Sequence, residues 1–179
     1  MLPRTRAALA TAAVIVVAGV SATAALAAPT ARARSLVTPL RGLDTQIVER
    51  INVERAQRGL APLHLSRRLH AAANFHSYEM ARGGFFSHVS LDGTSVSDRL
   101  ARFYRSAGYR RWEVAETLLW DSGAVDAAAA VREWLTSPEH RSILLDSGLR
   151  EIGISAVHDG AFQGTAATLV TADFGARSR

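Results

Sequence analysis

The stretch EIGISAVHDGAFQGTAATLVTADFG, residues 151–175, decides the fold. Its residues alternate between apolar and polar or small side chains, and such residues face opposite sides of a β-strand. Asp159-Gly160 is a turn signal between two such runs. We therefore predict two closing strands joined at Asp159-Gly160. On the second strand, one face carries Leu169, Thr171 and Asp173 and the other carries Val170, Ala172 and Phe174.

The residues before this stretch read mainly as helices. Their apolar residues recur at helical spacing, and polar N-caps or glycines mark the ends. Ser66 is predicted to cap the second helix, and Ser95-Val96-Ser97-Asp98 forms a capping box for the third. A strand is predicted only within residues 109–120, which are aromatic and β-branched. The predicted helices cover residues 44–58, residues 67–82, a segment from Ser95, residues 124–135 and residues 137–145.

The order of these elements predicts the fold class. Helices come first and two strands close the chain, which favours an α+β sandwich in which helices pack over an antiparallel sheet. Neither an internal repeat nor a second domain boundary is visible in the sequence. Residues 44–179 are therefore predicted to form one domain.

The first residues resemble an export signal. Arg4 and Arg6 precede an apolar run of about 14 residues, and Ala25-Leu26-Ala27 matches the pattern that a signal peptidase cleaves. A retained membrane anchor is the alternative, but it needs roughly 20 strongly apolar residues. We predict a cleaved signal peptide over residues 1–27, a flexible linker over residues 28–43, and a secreted protein without a stable membrane anchor.

Composition restricts the remaining function classes. The chain has no cysteine, so it carries neither disulfides nor a lipoprotein anchor and must be stable through its core alone. All 21 basic residues are arginine, and they are scattered along the chain. Loss of Arg4 and Arg6 with the signal lowers the net charge from +5 to +3. Nucleic-acid binding is not expected, because it requires a clustered basic stripe.

Five short blocks occur in a fixed order along the chain. They are N-x-x-R-x-x-x-G-L-x-P-L at residues 52–63, Phe86-Ser87-His88, W-x-x-S-x-x-H-R at residues 134–141, E-I-G at residues 151–153, and Phe174-Gly175. Their order and spacing resemble the bacterial branch of the CAP superfamily, also called the SCP or cysteine-rich secretory protein, antigen and pathogenesis-related family. The resemblance covers roughly residues 44–175. It implies an α-β-α sandwich with a central antiparallel sheet, in agreement with the pattern of elements.

The resemblance also implies a surface cavity lined by two histidines and two acidic residues. His88 matches the first histidine, Glu116 matches the first acid, and His140 matches the second histidine. The second acid has no match, because Ser137 stands at its position, with Glu133 and Glu139 nearby. By this resemblance His88, Glu116 and His140 line the cavity and could hold zinc or another divalent cation, since two imidazoles and a carboxylate form an open metal site.

Each of these residues also has a purely structural interpretation. His88 could fix the loop at residues 85–88, and Glu116 could pair with Arg110 or Arg141. His76, on the apolar face of its helix, is expected to be a partly buried core residue. The hydroxyl of Ser137 is expected to cap a helix that starts at Pro138 rather than to act as a nucleophile.

Three functions fit these observations. The first is a secreted binding module whose cavity takes a lipid, sterol or cell-wall ligand. The second is a metal-assisted hydrolase of peptides or wall polymers, in which His88, Glu116 and His140 hold the ion. The third is a structural envelope protein with a vestigial site.

Overall fold

The computed structural model describes residues 36–179. The helices in this part are α1 (Leu43–Ala56), α2 (Arg67–Gly83), α3 (Val96–Phe103), α4 (Ala127–Thr136) and α5 (Pro138–Leu144). The strands are β1 (Val37–Pro39), β2 (His64–Leu65), β3 (Arg111–Asp121), β4 (Glu151–Phe162) and β5 (Thr165–Ser178). The predicted helices are all present, with ends displaced by a few residues.

The sheet is built around the hairpin of β4 and β5. The strand order is β1-β4-β5-β3, and all pairs along it are antiparallel. β2 adds a short parallel pairing to residues 151–152 of β4, whereas β1 pairs with residues 157–159 of the same strand. Every other strand thus pairs with β4 or β5.

The hairpin turn lies four residues beyond its predicted position, so the prediction of a turn at Asp159-Gly160 is wrong. Those two residues belong to β4, where the pairing with β5 becomes irregular between Asp159 and Phe162. The chain reverses at Gln163 and Gly164, which both have positive φ values, 48° and 93°. Positive φ at both central residues is the signature of a tight hairpin turn that follows the twist of the strands.

Helices cover both faces of the sheet, which confirms the predicted α-β-α sandwich. Alternation along the strands divides the core into two layers. On one face α1, α4 and α5 pack on Ile152, Ile154, Val170, Ala172 and Phe174. On the other, α2 packs on Leu118, Val157 and Leu169, and α3 packs on α2 and on Trp112 and Val114 of β3. The predicted division of β5 into two faces is therefore confirmed as well.

Helix starts follow the predicted capping chemistry in two of three cases. The Ser95 hydroxyl accepts a hydrogen bond from the backbone N–H of Asp98 at the start of α3. The Ser137 hydroxyl accepts one from the N–H of His140, with Pro138 at the first position of α5. Ser66 occupies the N-cap position of α2 but its side chain makes no capping bond, and its N–H instead donates to Ile152 O on β4.

The structure describes only the last residues of the predicted N-terminal signal peptide and linker segment, residues 36–43. The predicted signal peptide and most of the predicted linker lie outside the described residues. Within the linker prediction, Val37–Pro39 is a strand on the β4 edge and α1 already begins at Leu43, so these residues are not a free linker. Pairing with β4 overrides a local sequence that has no strand pattern. Within residues 36–179, no helix is long and apolar enough to cross a membrane.

Arg55 joins three segments on the α1 side of the sheet. Its side chain is fully buried, and its guanidinium donates to Ala61 O at 2.9 Å, Leu144 O at 2.7 Å and Asp146 O at 3.0 Å. These carbonyls belong to the loop after α1 and to the C-terminal end of α5. Because a buried carbonyl without a donor is costly, Arg55 fixes both ends to α1.

Gly153 sets how closely α2 approaches the sheet. A Cβ atom at this position would lie 1.9 Å from the backbone N of His70 and 2.2 Å from the carbonyl carbon of Leu69. The first turn of α2 therefore rests directly on the β4 backbone. The His70 side chain adds a contact through Nδ1, 2.6 Å from Ile154 O.

We expect Gly153→Ala to destabilise the protein by about 3 kcal/mol or more, because the added methyl meets backbone that cannot move aside as a side chain can. Gly123→Ala is the matched control, since a Cβ there meets only the Asp121 side chain at 3.1 Å. Urea unfolding of both variants measures the difference. Equal losses of unfolding free energy in the two variants would contradict the close approach of α2 to β4 at Gly153.

Arg55→Met should lower the free energy of unfolding by about 3 kcal/mol or more, because it leaves three carbonyls without their charged donor. Arg58→Met is the control, since the Arg58 side chain bonds to Glu54, four residues earlier in the chain. The comparison uses urea denaturation at fixed pH. A loss in Arg55→Met no larger than in the control would show that α5 is held by other contacts.

Candidate functional site

The candidate site begins in the loop after α2. Gly84 ends the helix in a left-handed conformation with φ of 65°, a geometry that glycine adopts without strain. The chain then crosses towards β3 and presents His88, whose side chain is 23% exposed. The His88 Nδ1 lies 2.8 Å from Glu116 Oε1.

Glu116 supplies the buried charge of the site. It lies on the α2 and α3 face of β3, where its carboxylate is fully enclosed. One oxygen contacts His88, and the other accepts a hydrogen bond from Arg99 NH2 on α3 at 2.5 Å. The Arg99 side chain is also fully buried. A buried carboxylate is stable in such a position only because both of its oxygens have partners.

The charge state of Glu116 determines which nitrogen of His88 is available. Burial alone would raise the pKa of Glu116, but the hydrogen bond from His88 and the positive charge of Arg99 outweigh it and lower that pKa. An ionised carboxylate only accepts, so His88 Nδ1 must donate. In the neutral ring, Nε2 then carries the free lone pair and is the atom that can meet a ligand.

His140 brings a second imidazole to the site from α5. Ser137 caps this helix, and the ring of His140 is largely buried. Burial lowers the pKa of His140, and a positive charge on His88 lowers it further. The two rings therefore lie within electrostatic reach of each other, and His140 favours its neutral form.

A second carboxyl lies beside Glu116, on β5. Asp173 is the cross-strand neighbour of Glu116 and is completely buried. Among the described residues, no donor group bonds to either of its oxygens, and once protonated Asp173 can itself donate a hydrogen bond to Glu116. Burial raises the pKa of Asp173 well above its ordinary value, and the negative charge of Glu116 adds to the rise. Asp173 thus favours its protonated form.

Comparison with known proteins identifies the family to which this site belongs. The model of the CAP or cysteine-rich secretory protein family matches residues 48–174, well over half of the chain. The chain belongs to the CAP family. The predicted resemblance is therefore confirmed, in a member that has no cysteine.

Two Bacillus subtilis proteins resemble this CAP chain in sequence. The uncharacterized membrane protein YlbC is 35% identical over 112 residues, which cover 62% of this chain and 30% of that protein. The uncharacterized protein YkwD is 28% identical over 121 residues, covering 66% of this chain and 44% of that protein. The CAP chain thus spans less than half the length of either relative.

Solved structures match the fold. An extracellular protein with an SCP domain from Bacillus anthracis has a TM-score of 0.60 and 25% identity, covering 77% of this chain and 41% of that one. An outer surface protein from Borrelia burgdorferi has a TM-score of 0.62 and 20% identity, covering 80% of this chain and all of that one. At 20% identity, the second likeness is one of fold alone.

The second acid implied by the family resemblance has no match in this chain, because Ser137 stands at its position with Glu133 and Glu139 nearby. Ser137 is a helix cap, and its hydroxyl donates to Glu139 Oε2 at 3.0 Å. Burial raises the pKa of Glu133, and the charge of Asp121 raises it further, so Glu133 lies near that acid. The carboxyl beside Glu116 is instead Asp173, on the neighbouring strand.

Two residues of the site were missed by sequence reasoning. Glu116 pairs with Arg99, and not with Arg110 or Arg141, which the structural interpretation offered as partners. The spacing of Arg99 from Val96 and Phe103 places it on the apolar side of α3, a signal of a buried cation. The signal for Asp173 was its place on the same strand face as Leu169, since an acid that alternates with an apolar residue can lie on a face that helices cover.

The arrangement suits a divalent cation in part. Both oxygens of Glu116 bond to protein groups, so this carboxylate would act on a metal through His88, as carboxylates behind ligating histidines often do. His88 Nε2 and the His140 ring are left as direct ligands. Within residues 36–179, no three or more His, Asp or Glu side chains are arranged to hold a metal ion. Metal binding stays a prediction.

We expect Asp173→Asn to become increasingly stabilising as the pH rises. A carboxyl whose pKa is raised by folding holds its proton more tightly in the native state than in the unfolded chain, so the wild type loses stability as the pH rises above the ordinary aspartate value. The neutral amide removes this loss. Urea unfolding between about pH 4 and about pH 8 measures the effect, with the exposed Asp121→Asn on β3 as matched control.

Parallel stability curves for Asp173→Asn and the wild type over this range would contradict a protonated Asp173.

Proposed function

We propose that this CAP protein is an exported binding module that takes a lipid, sterol or cell-wall ligand at His88 and His140. The observation that carries the proposal is the hydrogen bond between His88 and the buried Glu116. It orients a partly exposed imidazole before any ligand arrives, which reduces the ordering cost of binding.

Export is supported by two independent observations. The signal pattern at residues 1–27 is that of a cleaved secretory peptide. The Bacillus anthracis relative is described as an extracellular protein, and it shares 25% of its aligned residues with this chain. A site that faces the outside would meet envelope components directly.

The surroundings of the site favour a ligand with both a polar and an apolar part. The polar part would meet the two imidazoles, which offer acceptors for a hydroxyl or acid group when neutral. The same loop carries Phe85 and Phe86, half-buried on the core beneath α2, and Val89, which is 47% exposed. Sterols, lipids and substituted wall fragments share this combination.

A divalent cation is a second occupant to be tested at this site. His88 and His140 would hold it, with Glu116 orienting His88, and the ion would keep water in its remaining positions. When bound, such an ion supplies Lewis-acid chemistry.

Metal-assisted hydrolysis of peptides or wall polymers is the second candidate function. It is favoured by the pairing of His88 with Glu116, because an imidazole oriented by a carboxylate is also suited to general-base catalysis. Water would have to be the nucleophile, since the Ser137 hydroxyl is used in capping α5 and in bonding to Glu139.

We expect His88→Ala and His140→Ala each to weaken ligand binding at least about tenfold, as loss of one well-placed polar contact does. The probes are phosphatidylglycerol vesicles, a sterol and soluble muropeptides, and the measurement is calorimetry supported by native mass spectrometry. His64→Ala is the matched control, because His64 is exposed on β2. Zinc is titrated separately against the same variants.

If the protein binds none of the three ligand classes, the proposal of a binding module is overturned. Turnover of muropeptides that disappears in both site variants, but not in His64→Ala, would favour the hydrolase. Equal binding by all three variants would place the ligand elsewhere on the protein.

A further inference from the structure

The loop that carries His88 is held from two helices at once. From α2, His76 Nε2 donates to Ser87 O at 2.8 Å, and Glu79 accepts from the hydroxyl of Ser90 at 2.8 Å. From α3, Arg99 NH1 donates to His88 O at 2.9 Å. The main chain on both sides of the His88 ring is thus fixed by buried or half-buried side chains.

Arg99 is the member of this set that reaches both the main chain and the ring partner of His88. NH1 bonds to the His88 carbonyl and, at 3.2 Å, to the Ser90 hydroxyl. NH2 bonds to the Glu116 carboxylate, which in turn contacts His88 Nδ1. One rigid guanidinium therefore closes a ring of contacts that runs through the backbone, the imidazole and the carboxylate.

The planar fork of arginine explains why this residue occupies the position. A guanidinium presents five N–H groups on three nitrogens in fixed directions, whereas a lysine ammonium carries its three N–H groups on one nitrogen at the end of a flexible chain. The side chain of Arg99 is fully buried, so its desolvation must be offset by these bonds. Buried ion pairs of this kind contribute more to a defined geometry than to net stability in some proteins.

We propose that Arg99 is the positioning residue of the site: through the His88 carbonyl and Glu116 it fixes the orientation and the tautomer of the His88 ring. Its effect is to keep Nδ1 donating to Glu116 and Nε2 directed towards the ligand. The importance of His88 rests on the proposed function, whereas the state of its ring is measured in the protein without any ligand.

The test is long-range proton–nitrogen NMR of the histidine rings in the wild type, Arg99→Met and Arg102→Met. In the wild type, His88 should be a single tautomer with the proton on Nδ1. Arg99→Met should show His88 averaged between the two tautomers, because the ring and its partner are released. Arg102→Met is the matched control on the same helix, since Arg102 is exposed and bonds to Thr94, and it should match the wild type.

Arg99→Lys keeps the proposal testable if Arg99→Met does not fold. One ammonium nitrogen cannot occupy the positions of both NH1 and NH2, so we expect it to keep the ion pair with Glu116 and to lose the bond to the His88 carbonyl. Hydrogen exchange of the amides at residues 88–91 should then accelerate at least about tenfold. The His88 ring should keep the Nδ1 proton in this variant.

A folded Arg99→Met with an unchanged single tautomer would overturn the proposal, as would Arg99→Lys with unchanged exchange in the loop. A merely structural role for Arg99 would lower stability without changing the His88 tautomer. If no ligand probe binds, the proposed function is overturned but the positioning role of Arg99 is not, because the NMR measurements of the His88 ring use no ligand.

Discussion

The buried carboxylate of Glu116 constrains the whole α2 and α3 side of this CAP domain. A charge removed from water is tolerated only when hydrogen bonds and an opposite charge replace the lost hydration. His88 and Arg99 provide both, the first from the loop after α2 and the second from α3. One requirement on β3 thus links α3, the loop after α2 and the partly exposed imidazole of His88. The neighbouring Asp173 satisfies the same requirement differently, by favouring the uncharged form.

The opposite side of the sheet shows how a domain without disulfides holds its irregular segments. Arg55 bonds to carbonyls on two segments that are distant in sequence, which is the kind of connection that a disulfide makes in cysteine-containing proteins. The two kinds of connection act differently, however. A disulfide constrains the unfolded chain, whereas a guanidinium stabilises only the native state. The stability of this domain thus depends on burial remaining complete around such residues.

Much of the fold could be predicted, because its signals are local. Alternation in β5 and the caps at Ser95 and Ser137 depend on neighbouring residues only. The hairpin turn was misplaced because Asp-Gly is a stronger turn signal than the Gln163-Gly164 pair that forms it. β1 and β2 are too short to carry a pattern and exist through pairing with β4. The family resemblance placed Glu116 in the site, but its pairing with Arg99 connects separate elements, and no spacing rule reports such a contact.

The sheet topology has a consequence for the order in which the chain can fold. Among residues 36–179, β1, β2 and β3 pair with no strand other than β4 or β5, and these two strands come after all the other elements. A chain that emerges from its N-terminus therefore has no template for a sheet until residues 151–178 are present. Local helices can form earlier, but without the hairpin they have no surface on which to bury their apolar faces. Formation of the sheet, and with it most of the core, therefore waits for the hairpin of β4 and β5, however early the helices of residues 43–144 begin to form.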